Sequence, residues 1–222
     1  HTLTPDNEFS IDEAKYKELV AAHIMFKDMS VDPYLLSAGI SAHWPYGRGC
    51  YVSEDKGFIV WVGEEDHLRI MCMKTGTMLN DVFDRLNSCL GVIEACEGCT
   101  FAVSPDYGYV TSCPTNLGSG MRASLHIALP ALTKKGKDVS EAKAAAKTLG
   151  LSVRGVGGEH TEAGEDGTVD ISPSARLCIQ EAEIVAALYK GIKLLMEKEV
   201  SAHQLPCGCS DALQRVTCFE RS

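Results

Sequence analysis

Residues 113–127 read CPTNLGSGMRASLHI and combine a thiol, a polar turn and a cation in one short stretch. Cys113 comes directly before Pro114 and a run of polar and glycine residues, which we expect to form a turn with accessible backbone amides. Arg122 and His126 follow on an apolar segment. A single cysteine is more often a packed small hydrophobe than a reactive thiol, so composition alone leaves both interpretations of Cys113 open.

Length and composition limit what this stretch can belong to. The chain has 222 residues, of which 45% are hydrophobic and 23% are charged, so it can bury the core of one large domain or two small ones. Its formal net charge is −9, and no Lys/Arg run is long enough to offset repulsion by a nucleic-acid backbone. We therefore expect no nucleic-acid partner, and an anionic substrate would need a local cluster of arginines.

The first residues and the cysteines bear on the compartment. The chain begins HTLTPDNEFSID, without the basic start or apolar region of a secretory signal, and no apolar run approaches the length of a membrane span. We therefore expect a cytoplasmic protein with reduced thiols and no membrane partner. Cys96 and Cys99 have CxxC spacing but no second ligand pair near them, which argues against a metal site.

Hydrophobic periodicity predicts helices and strands along most of the chain. We expect the first helix to have Ser10 as its N-cap and Glu13 in a capping box. The predicted helical segments are 11–26, 34–38, 76–96, 140–148 and 177–199, and the predicted strands are 50–52, 58–62, 68–73, 100–104 and 107–111.

Two further segments concentrate charge or glycine. Residues 63–73, GEEDHLRIMCM, place three carboxylates, a histidine and an arginine at the start of a strand, and this spacing alone favours a solvated turn. Residues 153–172, VRGVGGEHTEAGEDGTVDIS, form a long glycine-rich connection, which is either a lid or a disordered tip. Only a lid would give Arg154 and Glu159 a function there.

These segments, in this order, resemble the signature motifs of the phosphagen kinases, the ATP:guanidino phosphotransferases that include arginine, creatine and taurocyamine kinases. The stretch at 113–127 is similar to the family signature without a gap. WVGEEDHLRI, residues 61–70, resembles the family's WVNEEDHLRI with Gly63 in place of asparagine. The 153–172 loop resembles RGxxGEHTEAxGGxxDIS with one extra residue before Asp170, and the resemblance covers about residues 15–199.

The resemblance implies an α+β fold in which an antiparallel β-sheet is flanked by α-helices. It implies a partial C-terminal catalytic domain over residues 1–200, truncated at its N-terminus, because nothing in residues 1–43 matches the family's upstream helical domain or its arginine-bearing STRVRxGRS segment. Residues 201–222 match no family segment and show no periodicity, so we expect an irregular tail. Its His203, Cys207, Cys209 and Cys218 are residue types that bind zinc, but a loop is favoured.

The resemblance also implies the reaction and its residues. The activity would be reversible transfer of the ATP γ-phosphoryl group to a guanidino compound, with ATP or ADP as nucleotide and Mg²⁺ held by the nucleotide phosphates and water rather than by protein ligands. The implied catalytic residues are Glu65, Cys113 and Glu159. The implied nucleotide-binding residues are His23, Arg69, Arg122, His126, Arg154, Gly155, Gly158 and Asp170.

The residue types suit this chemistry. In-line phosphoryl transfer needs positioning and charge stabilisation on phosphate oxygens, for which arginine offers a planar donor fork. Glu65 and Glu159 can each grip a guanidinium and accept its proton. A Cys113 thiolate beside the guanidinium carbon would steer its charge without attacking it.

Several alternatives remain open at this point. Glu159 is typical of arginine-type members, whereas creatine-type members resemble GVDTA there, so we predict arginine as substrate and keep a taurocyamine-type kinase as an alternative. A catalytically impaired fragment that binds nucleotide weakly is the second hypothesis, and a cysteine hydrolase using Cys113 and His126 is a weaker third. Monomer and dimer are both open.

Overall fold

A computed structural model describes residues 1–76, 78–155 and 163–202, together with the backbone of residues 217–221. Its helices are α1 (Glu13–Ala21), α2 (Pro33–Ser37), α3 (Leu79–Glu94), α4 (Ser140–Lys147) and α5 (Glu181–Ala202), with a short 3₁₀ turn at Pro114–Asn116. Its strands are β1 (Gly49–Val52), β2 (Phe58–Val62), β3 (Leu68–Lys74), β4 (Val103–Ser104), β5 (Gly108–Tyr109), β6 (Met121–Ala128), β7 (Leu151–Arg154), β8 (Thr168–Pro173) and β9 (Thr217–Arg221).

Seven strands form one sheet in the order β1-β2-β3-β9-β6-β8-β7, and β4 pairs with β5 in a small separate ribbon. Every neighbouring pair in the large sheet is antiparallel. The predicted α+β class, an antiparallel sheet flanked by helices, is confirmed.

One face of the sheet forms the main core with α3, α4 and α5. Along β6, alternate residues from Met121 to Ile127 are buried in this core, as the two-residue period of a strand requires. Leu86 of α3 and Leu188 of α5 are completely buried in the same cluster. Arg122 and His126 occupy the intervening positions of β6 and therefore lie on the opposite face.

A second apolar cluster covers that opposite face at β1, β2 and β3. Residues 24–26, which follow α1, are buried there against Ile59 and Met71. Phe26 packs between the rings of Trp44 and Trp61. The N-terminal part of the chain therefore covers one half of this face, while the half built by β6, β8 and β7 carries charged residues.

Some element boundaries differ from the predictions. Asp12, not Ser10, caps α1, because its carboxylate accepts a hydrogen bond from the Lys15 amide at 2.7 Å. The helix ends at Ala21, so the predicted continuation to residue 26 is wrong. The predicted strands at 100–104 and 107–111 shrink to two residues each, because the segment from Pro105 to Tyr107 turns the chain between them.

Residues 201–222 are only partly described. Residues 201–202 complete α5, and residues 217–221 form β9 in the middle of the large sheet, whereas the sequence predicts an irregular segment. His203, Cys207 and Cys209 lie outside the described residues, so the zinc hypothesis for this segment stays a prediction. Among the helices that the structure describes, none combines the length and apolar character needed to cross a membrane.

Candidate active site

The turn between β2 and β3 is tied directly to the loop that carries Cys113. The buried carboxylate of Asp66 accepts hydrogen bonds from the backbone amides of Ser112 and Cys113, the latter at 3.1 Å. Its other oxygen accepts from Asn116 Nδ2 at 2.9 Å. Because Glu65 is the residue before Asp66, this contact brings the segments of two predicted catalytic residues together.

The Cys113 loop is further ordered by short-range hydrogen bonds. Cys113 is half-buried and precedes the 3₁₀ turn at Pro114–Asn116. Its Sγ lies 3.0 Å from Thr115 Oγ1, and its carbonyl accepts from Thr111 Oγ1 at 2.7 Å. The thiol is therefore held at a defined place next to the hydrogen bonds that link Asp66 to this loop, which we call the Asp66 junction.

Arg69 lies near the start of β3, and Glu65 lies in the turn before this strand. Arg69 Cζ is 5.3 Å from the centre of the Trp61 ring, close enough for a cation–π contact, and its Nη1 is 3.6 Å from Glu64 Oε1. The Glu65 carboxylate is partly exposed and makes no hydrogen bond or ion pair with the residues that the structure describes. Glu65 can therefore accept a hydrogen bond from a ligand without losing one within this part of the protein.

A second polar cluster lies on β6, β8 and β7, around the buried side chain of Asp170. Arg122 forms an ion pair with Asp170 Oδ2, and His126 Nε2 lies 3.6 Å from Asp170 Oδ1. Arg154 is the cross-strand partner of Asp170 on β7. Burial lowers the pKa of His126; the Asp170 charge opposes this shift and the Arg122 charge adds to it. The cluster joins four of the residues predicted to bind nucleotide.

The remaining predicted residues are placed less closely or not at all. His23 does not lie on a helix as predicted: it follows the end of α1 with a φ of 56°, and it is exposed. It precedes Ile24, whose carbonyl accepts a hydrogen bond from Trp61 Nε1 at 2.7 Å. Gly155 is buried beside Arg154, whereas Gly158 and Glu159 lie outside the described residues.

The sequence matches a family described as "ATP:guanido phosphotransferase, C-terminal catalytic domain" over residues 6–202. The chain belongs to this family. It is 42% identical over 194 residues to an arginine kinase of Anthopleura japonica, covering 86% of this chain and 26% of that protein. It is 40% identical over 190 residues to the testis isozyme of creatine kinase from Oncorhynchus mykiss, covering 84% of this chain and 48% of that protein.

Solved structures of the family share the fold. A lombricine kinase structure aligns with 91% of this chain and 55% of its own at a TM-score of 0.76 and 32% identity. A duplicated taurocyamine kinase from Schistosoma mansoni, with bound components of a transition-state analogue, aligns with 90% of this chain and 27% of its own at a TM-score of 0.73 and 33% identity. The chain thus spans about a quarter to a half of the length of these family members.

Sequence reasoning missed the part that Asp66 plays in this ATP:guanido phosphotransferase domain. Asp66 stands in the same acidic run as Glu65, and spacing alone assigned that run to a solvated turn. The sequence feature that could have indicated this contact is the position of Asp66 in the turn just before β3, where a short side chain can reach the backbone of a neighbouring loop. The position of that loop in space was not available from the sequence.

The lowered pKa of His126 predicts a dependence of stability on pH. The unfolded chain binds this proton at the ordinary pKa of 6.5, and the folded chain binds it only at lower pH. The stabilisation by neutral His126 is therefore complete above pH 6.5 and is lost as the pH falls through the folded-state pKa. The free energy of unfolding can be measured by urea denaturation at a series of pH values. We expect His126→Gln to flatten its dependence on pH below pH 6.5, and His43→Gln, at an exposed position, to leave that dependence unchanged. An unaltered slope in His126→Gln would contradict the assignment.

We also expect Cys113 to be alkylated first among the thiols. Burial raises the pKa of Cys50, and it raises the pKa of Cys72 to about 12, so both should be inert. Limiting iodoacetamide followed by peptide mass spectrometry measures the order of labelling. Faster labelling of the exposed Cys96, or of the cysteines at 207–218, would show that Cys113 is only a packed residue.

Proposed function

We propose that this domain supplies the catalytic centre for reversible transfer of the ATP γ-phosphoryl group to a guanidino compound. The observation that carries the proposal is the Asp66 junction, which holds the segments of Glu65 and Cys113 together. Membership of the ATP:guanido phosphotransferase family supports the same reaction class. The activity is proposed for the whole protein of which such a domain is a part.

The arginines suit a nucleotide. Arg69 on β3, Arg122 on β6 and Arg154 on β7 each offer a planar fork that matches phosphate oxygens. Arg122 is already paired with Asp170, so a phosphate has to share or displace that carboxylate. In this proposal Mg²⁺ is held by the nucleotide phosphates and water, where it neutralises phosphate charge, and no protein ligand is assigned to it.

The acceptor side rests on carboxylates and the thiol. Glu65 is available to grip a guanidinium and take its proton, with Glu159 as the second carboxylate, and Cys113 lies in the adjoining segment. Correct alignment of the acceptor nitrogen with the γ-phosphorus contributes most of the rate in such a reaction. Arginine is the proposed acceptor because Glu159 matches arginine-type members, and a taurocyamine-type acceptor is the alternative.

Coupled assays on the full-length protein test this proposal with arginine, creatine and taurocyamine as acceptors. We expect phosphorylation of arginine, and a fall of about 10²–10⁴-fold in kcat for Glu65→Gln because a general base is lost. Glu94→Gln, at the exposed end of α3, is the matched control and should retain full activity. Absence of turnover with every guanidine would end the kinase proposal.

The second candidate is a domain that binds nucleotide weakly and does not catalyse transfer by itself. It concerns the 222-residue chain taken alone, which covers 26–52% of the length of its curated relatives. A Cys113–His126 hydrolase is not supported, because His126 faces Asp170 and makes no hydrogen bond to Cys113, both residues being described.

For the 222-residue chain itself we predict weak MgADP binding and little or no phosphoryl transfer. Each charge-assisted contact contributes about 1.5–3 kcal/mol, so two missing arginines should weaken binding by about two decades or more. Titration calorimetry should therefore give a Kd in roughly the millimolar range or above. Micromolar affinity together with high turnover would show that this domain suffices.

A further inference from the structure

The polar cluster around Asp170 lies in the half-sheet β6–β8–β7, which β9 separates from the half-sheet β1–β2–β3. Within this cluster the two oxygens of the Asp170 carboxylate are bound unequally. Oδ2 forms the ion pair with Arg122, whereas Oδ1 is buried and makes no hydrogen bond with the residues that the structure describes. His126 Nε2 lies 3.6 Å from Oδ1, just outside hydrogen-bond distance. The carboxylate therefore has capacity for one more donor on the side of His126.

Binding of a nucleotide changes the balance of charge around Asp170. In the proposed function, on which this inference rests, Arg122 contacts a phosphate. A guanidinium that turns toward a phosphate pairs less well with Asp170, because both anions compete for the same N–H groups. The Asp170 side chain is only 6% exposed, and a buried carboxylate that loses its partner is strongly destabilising. A second cation therefore has to approach Asp170 when the nucleotide binds.

The charged face offers two basic residues for this purpose. Arg154 is the cross-strand partner of Asp170 on β7, but the proposed function assigns it to phosphate as well. His126 is the cross-strand partner of Asp170 on β6, and its side chain is 24% exposed, so it can exchange a proton with solvent. Among the described residues, the charged groups around His126 are Arg122, Asp170 and Arg154, because α5 covers the other side of β6 with apolar residues.

We propose that His126 takes up a proton when the nucleotide binds, and that its imidazolium then serves as the partner of Asp170 in place of Arg122. The proton comes from solvent and is added to the ring nitrogen that carries none in the neutral imidazole, so that Nε2–H donates a hydrogen bond to Oδ1. Arg122 is thereby released for the phosphate. His126 is a positioning residue in this exchange, because it acts on the nucleotide through Asp170 and Arg122.

The direction of the coupling follows from the charges. In the free protein burial lowers the pKa of His126, the Asp170 charge raises it, and the Arg122 charge lowers it further. Withdrawal of Arg122 and arrival of a phosphate both favour the imidazolium, so the pKa of His126 is higher in the complex. Because linkage is reciprocal, protonation strengthens nucleotide binding. The gain in affinity is complete below the pKa of the free protein and is lost as the pH rises through the pKa of the complex.

NMR titration of the full chain with isotope-labelled histidines measures protonation at His126, whose signal is assigned by its loss in His126→Gln. At pH 6.5 we expect saturation with MgADP to raise the protonated fraction of His126 about threefold or more. The exposed His43 is the internal control, and its protonated fraction should stay unchanged. If other signals show bound MgADP while protonation of His126 is unchanged, the proposal is overturned.

Arg122→Met tests the exchange of partners without a nucleotide. Loss of the guanidinium should raise the protonated fraction of His126 about threefold or more at pH 6.5. Lys190→Met removes an exposed cation from α5 and should leave this fraction unchanged. Unchanged protonation of His126 in Arg122→Met would overturn the proposal.

The two measurements separate this proposal from the proposed function. A protein that does not bind MgADP would contradict the proposed function, and Arg122→Met would still decide the role of His126. If Arg122→Met does not fold, the MgADP titration of the unsubstituted chain decides it.

Discussion

Arg122→Met is expected to lower the free energy of unfolding by about 3–5 kcal/mol, because breaking a buried ion pair leaves its partner charged and without compensation. That partner is Asp170, whose side chain is only 6% exposed. His126 and Arg154 are the other basic residues of this cluster, and burial disfavours protonation of the His126 ring. Urea unfolding at neutral pH measures this loss of free energy. In a thermal melt the same loss should lower Tm by roughly 6–20 °C in a chain of this size.

Two further variants make this result specific to the ion pair. The double variant Arg122→Met with Asp170→Leu should recover most of the loss, because replacing both members of a buried pair by apolar residues is often neutral or stabilising. Lys190→Met, at an exposed position of α5, controls for the loss of a cation and should leave the unfolding free energy nearly unchanged. A loss below about 0.5 kcal/mol in Arg122→Met, the range of ordinary surface substitutions, would show that Asp170 does not need this partner.

Asp66→Asn is expected to cost about 2–4 kcal/mol, since hydrogen bonds to a charged acceptor contribute about 1.5–3 kcal/mol each and the amide retains only part of the acceptor capacity. It should also loosen the loop around Cys113, whose amide bonds to this carboxylate. Chemical denaturation measures the first effect, and the rate of Cys113 alkylation measures the second and should rise. In the full-length protein a misplaced loop should lower kcat by about 10²-fold, with a smaller change in KM.

Asp106→Asn provides the matched control for Asp66→Asn. Asp106 lies in the exposed turn between β4 and β5, so the same chemical change there should alter neither stability nor alkylation. If the unfolding free energy and the alkylation rate of Asp66→Asn are both unchanged, the assignment is contradicted. A loss of stability without faster alkylation would restrict Asp66 to a structural contribution.

Much of the fold could be predicted because hydrophobic periodicity records which residues face a core. α3 and α5 have apolar residues at spacings of three and four, so the helical period was readable. β6 was not among the strands predicted from periodicity. β9 could not be predicted, because a five-residue strand pairs with segments far away in sequence. The end of α1 was also missed, because residues 24–26 are apolar for burial against Trp61 and not for continuation of a helix.

The candidate site was predictable to the extent that its residues stand in short motifs. Arg122 and His126 could be assigned to one face because they are two positions of a strand, four residues apart. The pairing of Arg122 with Asp170 and the hydrogen bonds from the Cys113 loop to Asp66 join positions more than forty residues apart. Such contacts depend on the order of strands, which periodicity does not encode.

The central place of β9 has a consequence for the synthesis of the protein. A ribosome releases β3 and β6 long before residues 217–221, so the two half-sheets leave the exit tunnel with their facing edges unmatched. Contacts between residues 70–74 and 217–221 are among the most distant in the chain and close late, since long loops fold slowly. Nascent chains should therefore pass through a stage that is prone to association through those edges.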